Sequence, residues 1–136
     1  MKVVIIGASG FVGSYLAYEL ESAGHSVIKT DLPELDLLNA AQVDAFVANH
    51  SPDAVVNLAA ISSVRASWIY PTNTISVNVN GTLNLLEAVR KHAPKAKTLL
   101  IGSAEEYAIP KGFYRVRLTY SPKFKEILPI LDSVIG

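Results

Sequence analysis

The sequence contains no cysteine, and its 12 Lys+Arg residues are balanced by 12 Asp+Glu residues. The absence of cysteine excludes disulfides, thiol catalysis and cysteine-ligated metal sites. Without an excess charge of either sign, nothing indicates nucleic acid or an anionic membrane as a partner. No apolar run approaches the roughly 20 residues that a helix needs to span a bilayer. A predicted strand begins directly after Met1, which argues against a signal peptide, so we expect a cytoplasmic protein.

Length and histidine spacing limit the architecture further. The 136 residues are enough for one hydrophobic core and too few for a comfortable second domain. The three histidines, His25, His50 and His92, are far apart and do not have the spacing of metal ligands. We therefore expect one domain without a metal site.

The most informative segment is an apolar run followed by three glycines spaced three apart. Val3–Ile6 does not alternate with polar residues, which is typical of a strand buried on both faces. Gly7 allows a tight turn, Gly10 lets the backbone approach a pyrophosphate, and Gly13 lets the next helix pack closely. The N–H groups and the dipole at the start of that helix attract an anion. The predicted cofactor-binding residues of this turn are Gly7, Ser9, Gly10, Phe11, Val12 and Gly13.

The residues after the glycines complete a dinucleotide-binding pattern. Phe11–Ala23 is predicted as a helix that stops at Gly24, and Ser26–Thr30 as a strand that ends at Asp31. A carboxylate there can accept hydrogen bonds from both hydroxyls of an adenosine ribose, and it repels the additional phosphate of NADP. We therefore predict dinucleotide binding with NAD as the cofactor and NADP as the alternative. The other interpretation is a surface Asp in a turn.

The rest of the chain alternates helices and strands. The pattern predicts helices over Ala40–Asn49, capped by Asn39, and over Thr74–His92. It predicts buried strands over Ala54–Ala60 and Lys97–Gly102, with a polar and aromatic connection over Ser62–Pro71. Right-handed crossovers then predict an α/β fold with an open, doubly wound parallel sheet, in which ligands bind at the carboxyl ends of the strands.

Residues after the second and third predicted strands suggest further cofactor contacts. Asp36 is suited to accept a hydrogen bond from an adenine amino group while Leu37 packs on the ring, although an ordinary turn also favours Asp. Leu58, Ala59 and Ala60 end a strand with small side chains that leave room for a ribose and nicotinamide. Close packing between a strand and a helix equally favours Ala.

Polar residues in the second half suggest a reaction site. Asn78, which we also predict as a cofactor-binding residue, interrupts an apolar helix face, where it either fixes a water or a backbone kink near the site or lies at the edge of the face. Ser103 and Glu105 follow the last predicted strand. They could act as an acid/base cluster, with Ser103 donating to a substrate carbonyl and Glu105 as a base or a partner of a sugar hydroxyl. The alternative is a turn that Ser103 caps.

Four motifs together resemble the extended short-chain dehydrogenase/reductases, a family of NAD(P)-dependent epimerases, dehydratases and reductases of nucleotide sugars. The motifs are Gly7–Gly13, Asn57–Ala60, Asn78–Ala88 and Ile101–Tyr107. The resemblance implies a Rossmann-type NAD(P)-binding domain over residues 1–108 and a nucleotide-sugar substrate. It places Ser103 at the family's catalytic Ser/Thr and Glu105 at the acidic position of its dehydratases.

Four stretches of the sequence resemble particular subfamilies. Ser62–Val64, Trp68 and the run 103–107 are similar to GDP-4-dehydro-6-deoxy-mannose reductases. The short connection Asp31–Leu38 is similar to that of dTDP-4-dehydrorhamnose reductases. The resemblance therefore implies a GDP- or dTDP-4-keto-6-deoxy sugar as the substrate.

The chain departs from the family where a Tyr-x-x-x-Lys pair is required on the next helix. Tyr107 and Lys111 have this spacing, but Pro110 lies between them and disrupts a helix. Tyr120 and Lys123 are too close together. We expect neither tyrosine to be catalytic, and the activity of this chain on its own is therefore uncertain.

Residues 109–136 resemble no part of the family. Alternation of apolar and polar residues predicts a strand over Phe113–Tyr120, and Ser121 and Pro122 could open a helix that reaches Leu131. Three explanations remain open: a truncated inactive copy, a domain that another subunit completes, and a non-catalytic dinucleotide-binding module. A sheet without the sugar-binding half would expose apolar surface, which predicts self-association into a homo-oligomer.

Overall fold

Four parallel strands form one sheet in the computed structural model, which describes residues 1–102 of the chain. The strands are β1 (Lys2–Ile6), β2 (Ser26–Thr30), β3 (Ala54–Asn57) and β4 (Lys97–Leu100). They lie in the order β2-β1-β3-β4, so the chain moves from β1 to one side and then returns past β1 to reach β3. This reversal confirms the predicted doubly wound sheet. It also creates a switch point beyond the carboxyl ends of β1 and β3, where such sheets bind ligands.

Helices connect the strands on both faces of the sheet. Helix α1 (Phe11–Ser22) joins β1 to β2, and α2 (Ala40–His50) joins β2 to β3. Because the strand order reverses at β1, right-handed crossovers place α1 and α2 on opposite faces. Between β3 and β4 the chain forms four further elements, and the last of them packs beside α2. These are α3 (Val64–Ile69), α4 (Pro71–Ile75), a π-helical turn (Ser76–Gly81) and α5 (Thr82–His92).

The core accounts for the unbroken apolar sequence of β1. Val3–Ile6 are all at most 2% exposed, because successive side chains of a strand point to opposite faces and both faces are covered. On the face that carries α2 and α5, Val4 and Ile6 join a cluster with loop, helix and strand residues. The other members are Leu35, Leu37, Val43, Val47, Val55, Leu85, Ala88, Val89 and Ala93. Leu35 and Leu37 anchor the connection after β2 in this core.

Two strands are shorter than predicted. β3 ends at Asn57 rather than Ala60, because the Asn57 side chain accepts a hydrogen bond from the Ala59 N–H at 3.1 Å and the chain leaves the sheet there. β4 ends at Leu100 rather than Gly102, because its neighbour β3 offers no partner beyond the pair of Asn57 and Leu100.

The predictions for the helices need three corrections. The predicted connection Ser62–Pro71 contains α3, whose N-terminus is capped by Ser63 through a 3.2 Å bond from the Ala66 N–H. The predicted helix Thr74–His92 begins earlier, at Pro71, and its regular hydrogen bonding is interrupted by the π-helical turn. In α1, the spacing of Val12, Leu16 and Leu20 predicts one buried face, whereas Val12 is 39% exposed and the buried residues begin at Gly13.

Candidate functional site

The turn between β1 and α1 requires glycine for reasons of space. Gly7 has a φ of 85°, and a Cβ there would lie 2.9 Å from the backbone nitrogen of Ala59. A Cβ on Gly13 would lie only 2.4 Å from the carbonyl oxygen of Gly7. Gly10 is the N-cap of α1 and provides no side-chain cap, so the first N–H groups of the helix keep their capacity to bind an anion.

Asp31 ties the end of β2 to this turn. Its Oδ2 accepts a hydrogen bond from the backbone N–H of Ser9 at 2.7 Å. The carbonyl of the preceding residue, Thr30, accepts from the N–H of Gly7 at 3.0 Å. Within residues 1–102, Oδ1 of Asp31 has no hydrogen-bond partner and remains available to a ligand. The carboxylate therefore lies beside the glycine turn with one oxygen engaged and one free.

The connection after β2 presents a second carboxylate. Leu35 and Leu37 are buried, while Asp36 between them is only half-buried. The Oδ1 atom of Asp36 accepts a hydrogen bond from the Leu38 N–H at 2.9 Å. Because Asp36 stands between two leucines whose side chains are buried, its own side chain points away from the core.

The segment after β3 is held by Asn78 of the π-helical turn. The Asn78 side chain accepts from the N–H of Ile61 at 2.8 Å and donates to the carbonyl of Ile61 at 3.0 Å. At the other end of the segment, the Leu58 N–H donates to the carbonyl of Ile6 at 2.8 Å. Asn78 therefore acts on the site through the backbone of Ile61.

These segments surround one cleft of about 600 Å³, a size typical of ligand pockets. Eight residues that the sequence predicts as cofactor contacts line it. They are Gly7, Ser9, Asp31, Asp36, Leu37, Leu58, Ala59 and Ala60. Asn78 does not line the cleft, and neither do Gly10, Phe11, Val12 and Gly13 of the α1 N-terminus.

Sequence reasoning missed seven lining residues. They are Ile6, Leu32, Leu35, Leu38, Ile61, Asn73 and Val77. The leucines of the short connection after β2 could have been predicted as lining residues, because several apolar residues in so short a connection indicate burial against a core or a ligand. Asn73 and Val77 belong to the helical stretch whose start was misplaced.

Ser103 and Glu105, predicted as catalytic, lie outside the described residues, as do Tyr107 and Lys111 and the strand and helix predicted over 109–136. Within residues 1–102, no group of three His, Cys, Asp or Glu side chains is arranged to hold a metal ion. No helix in that part of the chain is both long and apolar enough to cross a membrane.

Charged pairs on the surface of α2 and α5 do not belong to the cleft. Hydrogen bonds from His92, at 2.9 Å, and Lys91, at 3.1 Å, lower the pKa of Asp44. A hydrogen bond from Arg90 likewise lowers the pKa of Glu87. The contacts of Asp44 link α2 to α5, and both sets of contacts bear on stability rather than on ligand binding.

The cleft has the chemistry of a site for an extended ligand with several functional groups. Gly7 and Ser9 of the lining lead into α1, whose free N–H groups lie beside the cleft and suit a phosphate, and the free oxygen of Asp31 suits a sugar hydroxyl. Leu37 and Leu58 contribute apolar lining, which suits a flat ring. A Cβ at Gly7 or Gly13 would collide with backbone, so the compact turn that supplies these N–H groups depends on the glycines.

Comparisons with known proteins agree with this geometry. The model of the NAD dependent epimerase/dehydratase family matches residues 3–124. The UDP-glucose 4-epimerase of Mus musculus is 28% identical over 138 residues, which cover 81% of this chain and 40% of the mouse protein. The chain thus spans about two fifths of the length of that relative.

Two solved structures share the fold. A UDP-glucose 4-epimerase of Thermus thermophilus in complex with NAD has a TM-score of 0.76 and 26% identity, covering 98% of this chain and 51% of that one. A Bacillus anthracis dTDP-4-dehydrorhamnose reductase in complex with NADP has a TM-score of 0.67 and 27% identity, covering 71% of this chain and 34% of that one.

Proposed function

The chain belongs to the NAD dependent epimerase/dehydratase family, and from this premise we propose that its cleft binds a nicotinamide adenine dinucleotide. One observation carries the proposal: the uncapped start of α1 and the half-free carboxylate of Asp31 lie at the same switch point of the sheet. The complexes of two similar structures with NAD and NADP support it.

The phosphate and ribose ends of the cofactor would be held by the glycine turn and Asp31. The pyrophosphate would lie against backbone N–H groups, and the free Oδ1 of Asp31 would accept a hydrogen bond from a ribose hydroxyl. The turn residues assigned to the pyrophosphate are Gly7, Ser9, Gly10, Phe11, Val12 and Gly13.

The two rings would occupy the two walls of the cleft. Asp36 and Leu37 line the wall assigned to adenine, and Leu58–Ala60 the wall assigned to nicotinamide. Asn78 is a positioning residue in this assignment, because its two bonds fix the backbone of Ile61 at the end of the nicotinamide wall.

The charge of Asp31 favours NAD over NADP. A phosphate on the ribose would come close to a carboxylate that the Ser9 N–H holds in place, and two negative charges at such a distance repel. We therefore assign NAD as the cofactor and NADP as the weaker alternative.

The substrate that fits the family is a nucleotide sugar, and we assign a GDP- or dTDP-4-keto-6-deoxy sugar. Similarity to a dTDP-4-dehydrorhamnose reductase supports this class, as do the subfamily motifs. A bound nicotinamide would supply hydride chemistry, while Ser103 would steady the substrate oxygen and Glu105 would act as an acid or base.

A second candidate function is dinucleotide binding without catalysis. The observation that favours it is that Pro110 interrupts the Tyr-x-x-x-Lys spacing of Tyr107 and Lys111, because the resemblance implies that such a pair on a helix exchanges the proton.

Two measurements on the full chain test these proposals. Isothermal titration with NAD should give saturable binding, and an absence of binding would overturn the cofactor proposal. Incubation with NADH and a GDP-4-keto-6-deoxy sugar should lower the nicotinamide absorbance if the chain is a reductase. Binding without any such change would contradict a reductase and leave the non-catalytic module as a candidate.

A further inference from the structure

Two amide side chains from different helices hold the loop that carries Asp36. We call residues Glu34–Leu38 the adenine loop. From α2, the Gln42 Oε1 atom accepts from the N–H of Asp36 at 2.9 Å, and its Nε2 donates to the carbonyl of Glu34 at 3.1 Å. From α5, the Nδ2 atom of Asn84 donates to the carbonyl of Leu37 at 2.8 Å. The peptide groups before Asp36 and after Leu37 are therefore fixed.

The helical stretch before α5 also touches this loop directly. A Cβ on Gly81 would lie 3.0 Å from the Cβ of Leu37, so the lack of a side chain at Gly81 lets the loop pack closely against this stretch. Leu37 itself is buried in the core cluster. The loop is thus held by packing as well as by hydrogen bonds.

Fixing the backbone also fixes the carboxylate of Asp36. Its Oδ1 is occupied by the Leu38 N–H, whereas Oδ2 has no hydrogen-bond partner within residues 1–102. Asp36 lines the cleft. One acceptor atom is therefore presented to a ligand from a backbone that cannot readily adapt.

We propose that Asn84 and Gln42 are positioning residues that select the base of the dinucleotide by holding Asp36, an inference that rests on the proposed function. Adenine carries an amino donor where hypoxanthine carries a carbonyl acceptor. A fixed carboxylate acceptor binds the former and repels the latter. A carboxylate on a loosened loop could turn away, so the discrimination between the two bases would fall.

The experiment compares NAD with nicotinamide hypoxanthine dinucleotide by isothermal titration of the full chain. The wild type should bind NAD more tightly by about tenfold, as expected for one hydrogen bond to a charged group. Asn84→Asp keeps the size of the side chain but places an acceptor against the carbonyl of Leu37. The ratio of the two affinities should then fall toward one.

A matched control uses the same substitution nearby. Asn80 is exposed on the π-helical turn, and Asn80→Asp introduces the same charge without touching the adenine loop. This variant should retain the wild-type ratio. Because the readout is a ratio of affinities for two ligands, a general loss of stability does not imitate the effect.

Further variants keep the test decisive if Asn84→Asp does not fold. Asn84→Ser removes the donor without adding charge, and Gln42→Glu removes the donor to Glu34 while keeping the acceptor for Asp36. A folded Asn84 variant with the wild-type ratio would overturn the inference, and so would a wild type that binds both dinucleotides equally. The second result would leave the proposed function intact, whereas a wild type that binds neither would overturn both.

Discussion

At the scale of single residues, Asp31 illustrates how one carboxylate serves two purposes. One oxygen is bound to the Ser9 N–H of the glycine turn at 2.7 Å, and the other is free within the described part of the chain. Replacing the residue therefore alters the turn and, under the proposed function, the recognition of ribose as well. Only a substitution that separates charge from hydrogen bonding distinguishes the two effects.

We expect Asp31→Asn to relax the choice between NAD and NADP, because the amide oxygen still accepts from Ser9 while the negative charge is gone. Asp31→Ala should also weaken NAD itself by about tenfold or more, the usual effect of losing a hydrogen bond to a charged group. Calorimetric titration of both variants with both cofactors checks this. An Asp31→Asn variant with the wild-type preference would contradict the ribose role.

Gly13 and Gly10 should differ in what their loss affects. A Cβ on Gly13 would lie 2.4 Å from the carbonyl oxygen of Gly7, so Gly13→Ala should lower the free energy of unfolding by about 1–3 kcal/mol, as overpacking does. A Cβ on Gly10 meets only that carbonyl oxygen, at 3.2 Å. Gly10→Ala should therefore fold nearly as stably but bind NAD more weakly.

Urea unfolding and NAD titration of the two variants separate these effects. Equal losses of stability would contradict the distinct roles of the two glycines. So would a Gly10→Ala variant that binds NAD like the wild type.

At the scale of elements, the sequence predicts correctly the strands and helices whose apolar residues form one clear local pattern. The unbroken run Val3–Ile6 predicts β1, and the spacing of Val43 and Val47 predicts α2. Helix α3 could not be predicted because its six residues are too few to establish a helical period.

The contacts of the candidate site that could not be predicted are hydrogen bonds between residues far apart in the sequence. Asn84 bonds to Leu37 across 47 residues, and Asn78 to Ile61 across 17. Periodicity within an element does not reveal such pairs. The need for glycine in the turn after β1 could be predicted because it follows from a short, local backbone geometry.

We expect Asn78→Ala to loosen the segment after β3, because the Ile61 N–H and carbonyl both lose their partner. The free energy of unfolding should fall by about 1–3 kcal/mol, the usual cost of unpaired polar groups that are partly buried. Amide hydrogen exchange at Ile61 should accelerate, and NAD should bind more weakly. Asn80→Ala, on the exposed side of the same turn, is the control. Unchanged exchange at Ile61 would contradict the role of Asn78.

The link between α2 and α5 should respond to acid. Hydrogen bonds from His92 and Lys91 hold the pKa of Asp44 below its ordinary value of 3.8. A carboxyl group whose pKa is lowered by folding contributes stability above its unfolded pKa and loses it as the pH falls through the folded value. Asp44→Asn should therefore unfold more easily than the wild type at neutral pH, and the difference should vanish well below pH 3.8.

Thermal unfolding at both pH values measures this difference. Glu19→Gln removes a carboxylate that forms no ion pair within the described part of the chain, and it serves as the control. A difference between Asp44→Asn and the wild type that persists in acid would contradict the ionic contribution of Asp44.

At the scale of the whole molecule, the distribution of apolar surface is uneven. The helices α3 and α4 bury no side chain, and their large apolar residues lie on the surface. Trp68 is 83% exposed, Tyr70 65% and Val64 63%. Exposed apolar patches on monomeric proteins are rarely extensive, and larger ones mark contacts with other molecules.

We therefore expect the 136-residue chain to self-associate through α3 and α4. Sedimentation velocity should show the mean mass rising with protein concentration, because each additional contact removes apolar side chains from water. Trp68→Glu should suppress this rise by placing a charge on the patch. Tyr18→Glu, which adds the same charge on the exposed face of α1, should leave it unchanged. A wild type that remains monomeric at every concentration would contradict the expected homo-oligomer. Equal suppression by both variants would instead mean that net charge, not the surface of α3 and α4, controls association.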